Sequence, residues 1–151
     1  MAPGALVQQW NADPSRTAPT LQAVAQGARV IMSPASRAYL DMKYRADTPL
    51  GLQWAALIEV RDAYDWEPDG YVAGVGEADI AGVEAPIWAE TLRTLDEVLY
   101  MAFPRLPGIA EIGWSPKTGR HWEEYRVRLA AHAAGWTALG IPYYRSQQVN
   151  W

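Results

Sequence analysis

Two short apolar runs flank a helix-sized spacer near the start of the chain, and this spacing constrains the fold more than any other feature. LVQQW (residues 6–10) reads as a strand closed by the turn-rich run NADPSRTAP, and TLQAVAQG (20–27) as a short helix. Leu21, Val24 and Ala25 lie to one side of that helix, and Gly27 stops it. RVIM (29–32) is the next strand. Strand, helix and strand within about thirty residues have the size of one βαβ unit, and that connection implies parallel pairing. IAGVEAPIW (80–88) is a third strand candidate. Three parallel strands cannot close on themselves and leave open edges, so the architecture reads as part of something larger.

The remainder of the chain predicts helices and one long irregular stretch. Residues 33–76 carry Pro49, Gly51, Pro68, Gly70 and Gly74, with one short helix expected over Ile58–Tyr64. Loops of this length inside compact domains tend to be functional. TLDEVLYMAFPRLPGIAEIGW reads as a helix interrupted around Pro104 and Pro107. The last element is expected over Trp122–Leu139, with Tyr125, Leu129, His132, Trp136 and Leu139 on one face and Glu123 and Glu124 in its first turn.

Composition excludes several classes of function. The 151 residues suit one domain, 1–151, and half of them are apolar. A net charge of -4 without a basic run argues against nucleic acid and anionic membrane as partners. The lack of cysteine removes disulfides, thiolate zinc sites and thiol nucleophiles. No run reaches the ~18 apolar residues of a membrane span, and MAPGALVQQW lacks the pattern of a secretory leader. The chain has 8 Trp and 8 Tyr but only one Phe. Large flat rings with a polar handle suit amphipathic ligands such as sugars, although some of these residues must pack the core.

Parallel strands present their C-terminal ends on one side. Those ends deliver Trp10, then Tyr39 and Asp41, then Trp88 and Glu90, while Trp54 lies in the long loop above them. Two of the three ends follow an aromatic residue with a carboxylate two positions on. Aromatic walls with convergent acids fit a sugar ring, whose CH faces stack while its hydroxyls donate. Stacking one indole face removes ~100 Å² from water, at most ~2.5 kcal/mol before ordering costs. The same residues also fit plainer roles. Tyr39 and Asp41 could be a turn tyrosine and a helix N-cap, Trp54 and Trp88 core rings, and Glu90 the first-turn acid of the following helix.

VIMSPASRAYLDMKY, DTPLGLQWA, GVEAPIWAETL and YMAFPRLPGIAEIGWSP resemble the C-terminal part of the catalytic barrel of family 20 glycoside hydrolases, the β-N-acetylhexosaminidases. The resemblance extends from LVQQW to the terminal YYRSQQVNW. It implies an α/β fold comprising about the sixth to eighth strands of a TIM (β/α)8 barrel, with no metal or organic cofactor. It also implies an extracytoplasmic setting and glycans or chitin fragments ending in N-acetylglucosamine or N-acetylgalactosamine as substrate. By the same resemblance, Tyr39 is catalytic and donates to the substrate's 2-acetamido oxygen, which attacks the anomeric carbon in a substrate-assisted mechanism. Asp41 binds a sugar hydroxyl, most naturally the 6-hydroxyl. Trp10 and Trp54 wall the acetamido pocket, Trp88 lies at its base or under the ring, and Glu90 accepts from the 4-hydroxyl.

The family's acid/base Asp-Glu pair follows an earlier strand, as does its hydroxyl-binding arginine, and neither can be assigned here. The adjacent pair Asp96-Glu97 falls in a helical region. The pocket is therefore half present, and the isolated chain is expected to be inactive and to need the N-terminal half of the barrel. A non-catalytic sugar-binding or complementing module, or a self-associated half-barrel, are the alternatives. Glu84 and Glu111 read as structural acids, with Glu111 anchoring the helix layer. His132 reads as a packed side chain and His121 as an exposed one. Asp62, Asp65 and Asp69 lack the spacing and central glycine of a calcium loop, and GVG at 74–76 is not a nucleotide fingerprint.

Overall fold

A computed structural model describes residues 2, 4–13 and 15–151. Met1 and Pro3, in the N-terminal run, and Pro14, in the turn-rich run after the first strand, lie outside the described residues. The three strands are β1 (Leu6–Gln9), β2 (Arg29–Met32) and β3 (Ile80–Val83). They form one sheet in the order β1-β2-β3, parallel throughout, with Leu6 opposite Arg29 and Val30 opposite Ile80. β2, the central strand, buries Val30 and Met32 completely. No described strand pairs with the outer edge of β1 or β3.

The helices differ from the sequence expectation mainly at their ends. α1 is Ala18–Val24, earlier than expected, because Pro19 fits the first turn, where its missing N–H has no helical partner. Its buried residues are Thr20 and Ala23, while Ala25 is exposed. α2 is Val60–Tyr64. Its start is fixed by Glu59, which accepts from the Val60 N–H, and by Asp62, which accepts from the Glu59 N–H. The interrupted helix is α3 (Leu95–Ala102) and α4 (Arg105–Trp114), separated at Phe103-Pro104, with Pro107 inside the first turn of α4. Thr94 and Glu97 cap α3 reciprocally.

The last expected helix divides into α5 (Trp122–Ala131) and α6 (Ala133–Ala138). A tightened His132 N–H to Leu129 carbonyl bond marks the break. Tyr125, Leu129 and Trp136 are buried as expected, but Leu139 is 76% exposed and corrects the proposed face. His132 is exposed and lies flat against Trp136, with ring centroids 5.6 Å apart. β3 also corrects the expectation: it ends at Val83, and residues 84–88 leave the sheet.

Two apolar clusters form the core. One surrounds β2 and takes in Tyr39, Leu40, Met42, Ile58 and Trp66; the other joins Tyr44, Met101, Trp122, Tyr125 and Trp136. Glu111 ties the helix layer together, since it accepts from the Tyr64 hydroxyl and from both terminal nitrogens of Arg128. The Arg128 bonds hold its carboxyl below the usual range. The C-terminal tail returns to the same layer. Tyr144 stacks on Tyr44 at 4.0 Å, and the hydroxyls of Tyr144 and Ser146 both donate to Glu59.

Gly51 allows the long loop to pass the site. Its φ is +94°, and a Cβ there would meet the Asp41 carbonyl oxygen at 2.6 Å and Met101 Cε at 2.6 Å. Gly51→Ala is expected to lower unfolding stability by at least about 2 kcal/mol, because strained φ and backbone overlap act together. Urea denaturation measures this, and a loss below about 0.5 kcal/mol, the ordinary surface level, contradicts it.

Candidate functional site

The backbone alone draws three distant segments to the C-terminal end of the sheet. After β2, the Ser33 N–H donates to the Gln9 carbonyl at 3.0 Å and the Ala35 N–H to the Trp10 carbonyl at 2.8 Å, so the chain follows β1 outward. It then turns, and the Leu40 N–H donates to the Pro86 carbonyl at 2.7 Å. That bond sets residues 39–43 beside the segment carrying Trp88 and Glu90. On their other side the Leu52 N–H donates to the Asp41 carbonyl at 2.9 Å, and the Lys43 N–H to the Leu52 carbonyl at 2.7 Å, which brings in the loop bearing Trp54.

The side chains follow. Tyr39 and Trp54 meet edge to face, with centroids 6.0 Å apart at 84°. Burial pushes the Tyr39 phenol above its ordinary value; a Trp88 hydrogen bond opposes this, while the charges of Asp41 and Glu84 reinforce it. At neutral pH Tyr39 is therefore a neutral donor. Asp41 is 2% exposed, and neither carboxylate oxygen has a hydrogen-bond partner. Burial raises its pKa; the Asp41 and Trp88 amides pull against the rise without bonding geometry, the Glu90 charge adds to it, and the Arg105 charge opposes it. A buried carboxyl with no partner costs stability, and groups of that kind mark functional sites.

Tyr39, Asp41, Trp54, Trp88 and Glu90 are thus brought together. Trp10 arrives separately at the end of β1, tied in through its carbonyl. Trp10, Trp54 and Trp88 are all about half exposed, whereas Trp66, Trp122 and Trp136 are buried. The tryptophans therefore divide between core and surface, and three of the exposed ones face the strand-end side. Glu90 is exposed and precedes the helix by several residues, because α3 starts at Leu95 with Asp96 and Glu97 as its first-turn acids. It is not a capping acid.

Sequence reasoning missed Gln8 and Arg105. The Gln8 amide donates to Ser33 at 2.8 Å and to Glu84 at 2.7 Å, so Glu84 is a bonded acid next to the site. Arg105 is buried beneath the loop, and nothing in its local sequence announced that. Asp62 caps α2 and Asp65 pairs with Arg61 at 3.1 Å. Among the described residues no three His, Asp or Glu side chains converge as a metal site would require. Grooves of ≈570 and ≈390 Å³ run along the free side of β3 against the end of α4, away from Tyr39 and Asp41.

The strand ends of one parallel sheet thus gather a phenol, two carboxylates and exposed indoles. Comparisons with known proteins give the family. Residues 1–117 match the model of the glycosyl hydrolase family 20 catalytic domain. The chain is 49% identical to a β-N-acetylhexosaminidase of Cellulomonas fimi, over all of this chain and 30% of that protein. It is 34% identical to a β-hexosaminidase of Akkermansia muciniphila, over 86% of this chain and 26% of that protein. The solved structure of Streptomyces plicatus N-acetyl-β-hexosaminidase in complex with Thio-NAglucal superimposes with a TM-score of 0.96 at 53% identity, covering 99% of this chain and 31% of that one. A mutant of the Streptomyces plicatus enzyme has been solved with its product GlcNAc, and matches with a TM-score of 0.95 at 53% identity. The chain belongs to glycoside hydrolase family 20. It spans about a third of the length of these relatives.

The buried Asp41 gives a pH test of the site. A carboxyl whose folded pKa is raised keeps its proton to higher pH than in the unfolded chain, so its contribution is fully present at low pH and is lost as pH rises through the folded value. Asp41→Asn removes that loss. The variant is expected to melt higher than the parent at about pH 7, with the gap closing below about pH 4, where the carboxyl is protonated in either state. Thermal unfolding across this range reads it directly, and a gap independent of pH contradicts it.

Proposed function

We propose that this chain is the C-terminal portion, about strands six to eight, of the (β/α)8 barrel of a β-N-acetylhexosaminidase. In this reading it supplies the acetamido and hydroxyl half of a pocket for terminal N-acetylglucosamine or N-acetylgalactosamine. The observation that carries the reading is the buried, unpartnered Asp41 carboxylate beside the neutral Tyr39 phenol, flanked by the exposed rings of Trp54 and Trp88. The half-exposed Trp10, Trp54 and Trp88 remain available to a sugar, and the open edges of β1 and β3 are where the rest of a barrel would join.

The chemistry in this reading is the substrate-assisted hydrolysis that the family resemblance implies. The substrate's acetamido oxygen attacks the anomeric carbon, and the glycosidic oxygen leaves with a proton from an acid outside this chain. Water then opens the oxazolinium ring with retention of configuration. Tyr39 donates to the acetamido oxygen and holds it in line for attack. Asp41 accepts from the 6-hydroxyl and Glu90 from the 4-hydroxyl, while Trp10, Trp54 and Trp88 exclude water and fix the ring.

The acid/base pair must come from elsewhere. The Asp96-Glu97 pair sits at the start of α3, with Glu97 occupied in capping it. That observation favours a second reading, a sugar-binding module that complements a separate barrel segment.

The test is co-expression with a family 20 N-terminal half, assayed on an aryl N-acetylglucosaminide. The assembly is expected to be active and the chain alone inactive. Tyr39→Phe is expected to lower kcat about 100-fold, the effect of losing one transition-state donor. Glu90→Gln is expected to raise KM about tenfold through weaker hydroxyl recognition. Activity in the isolated chain, or unchanged kinetics in both variants, overturns the assignment. An assembly that binds N-acetylglucosamine without cleaving the substrate supports the module reading instead.

A further inference from the structure

Arg105 opens α4 with its side chain 1% exposed, and no carboxylate pairs with it among the described residues. Its two terminal nitrogens donate to backbone carbonyls instead, while Nε has no hydrogen-bond partner. Nη1 donates to Met42 at 2.7 Å and Ile58 at 3.1 Å; Nη2 donates to Leu40 at 2.5 Å and Met101 at 2.8 Å. The guanidinium carbon lies 3.8 Å from the centroid of the Tyr44 ring, which seats the cation from one face. The Tyr44 hydroxyl in turn lies 2.8 Å from the Met101 carbonyl and 2.9 Å from that of Phe103, so the seat belongs to the α3–α4 junction.

The partners identify what this side chain does. Leu40 and Met42 flank Asp41 on either side, and Ile58 closes the loop that carries Trp54. We infer that Arg105 is a positioning residue for the sugar site: its planar fork fixes the Leu40, Met42 and Ile58 carbonyls against the α3–α4 junction and so aims Tyr39, Asp41 and Trp54 at one ligand. Arg105 itself lies under the loop and touches no substrate. The inference rests on the reading of those three residues as a hexosamine pocket. A lysine keeps the charge, but its donors radiate from one point and cannot span carbonyls on both sides of Asp41. A buried carbonyl left without a donor then releases the loop locally.

Hydrogen exchange on the 151-residue chain tests the clamp without relying on activity. In Arg105→Lys, the amides of Leu52 and Ile58, which donate to the Asp41 and Lys43 carbonyls, are expected to exchange at least about tenfold faster, while those of β2 keep the parent's rate. Unchanged loop amides overturn the inference, and so does an equal rise in β2, which marks a general loss of stability. Should the lysine variant fail to fold, Tyr44→Leu removes the seat and keeps the donors. It is expected to speed the same two amides selectively, and no change there overturns the inference.

In the assembled enzyme, Tyr39→Phe is expected to cost about 100-fold in kcat on the parent background. On the Arg105→Lys background it is expected to cost less than about tenfold, because the phenol is already misdirected. Equal costs on both backgrounds overturn the inference. An inactive parent assembly instead counts against the hexosaminidase reading, and the exchange result then decides the role of Arg105 alone.

Discussion

The buried guanidinium of Arg105 is the interaction on which the arrangement of this chain turns. A charge in a dry interior needs partners for its donors, and here four main-chain carbonyls take the two terminal nitrogens while a tyrosine face seats the group, with Nε left unpaired. The carbonyls come from residues 40, 42, 58 and 101, so one side chain joins the loop after β2, the end of the long loop and the last turn of α3. Without it the polar backbone of residues 40–58 would have to be satisfied some other way, because these carbonyls lie where water does not reach. The close passage of Gly51 over the Asp41 carbonyl depends on the same packing.

What is left unsatisfied is as informative as what is paired. The Asp41 carboxylate is buried without a partner, while Trp54 and Trp88 near it and Trp10 at the end of β1 stay half exposed. A chain selected for stability alone would neutralise the first and cover the second, and both departures fall at one end of one sheet. The helix layer is the opposite case. Glu111, Arg128, Tyr64 and Glu59 all have their partners, and the tail of Tyr144 and Ser146 closes over them. The helix layer keeps its carboxylates paired, and among the described residues Asp41 is the acid left buried without a partner.

Much of this was legible in the sequence. The strand–helix–strand spacing gave the parallel sheet, and parallel pairing alone was enough to put Tyr39, Asp41, Trp88 and Glu90 on one side. β3 was read too long because IAGVEAPIW is apolar apart from Glu84; its final residues leave the ladder, and Pro86 accepts from Leu40, a long-range bond with no local signature. The break at His132 was invisible because Ala131 and Ala133 are good helix formers and the apolar spacing continues across it. Leu139 fits the helical face by number, but the face has turned to solvent there. Arg105 escaped notice for a physical reason: a cation satisfied by backbone carbonyls has no acidic partner in the sequence to betray it. The exposure that separates Trp54 and Trp88 from the core tryptophans is likewise a property of the folded chain.

The central claim is that Asp41 and Tyr39 hold one amino sugar between exposed rings. A crystal structure of the assembled barrel with N-acetylglucosamine tests it most directly. The account expects an Asp41 carboxylate oxygen within hydrogen-bonding distance of a sugar hydroxyl, the Tyr39 hydroxyl on the acetamido oxygen, and the ring against Trp54 or Trp88. A sugar bound elsewhere, with both Asp41 oxygens still unpartnered, would contradict it.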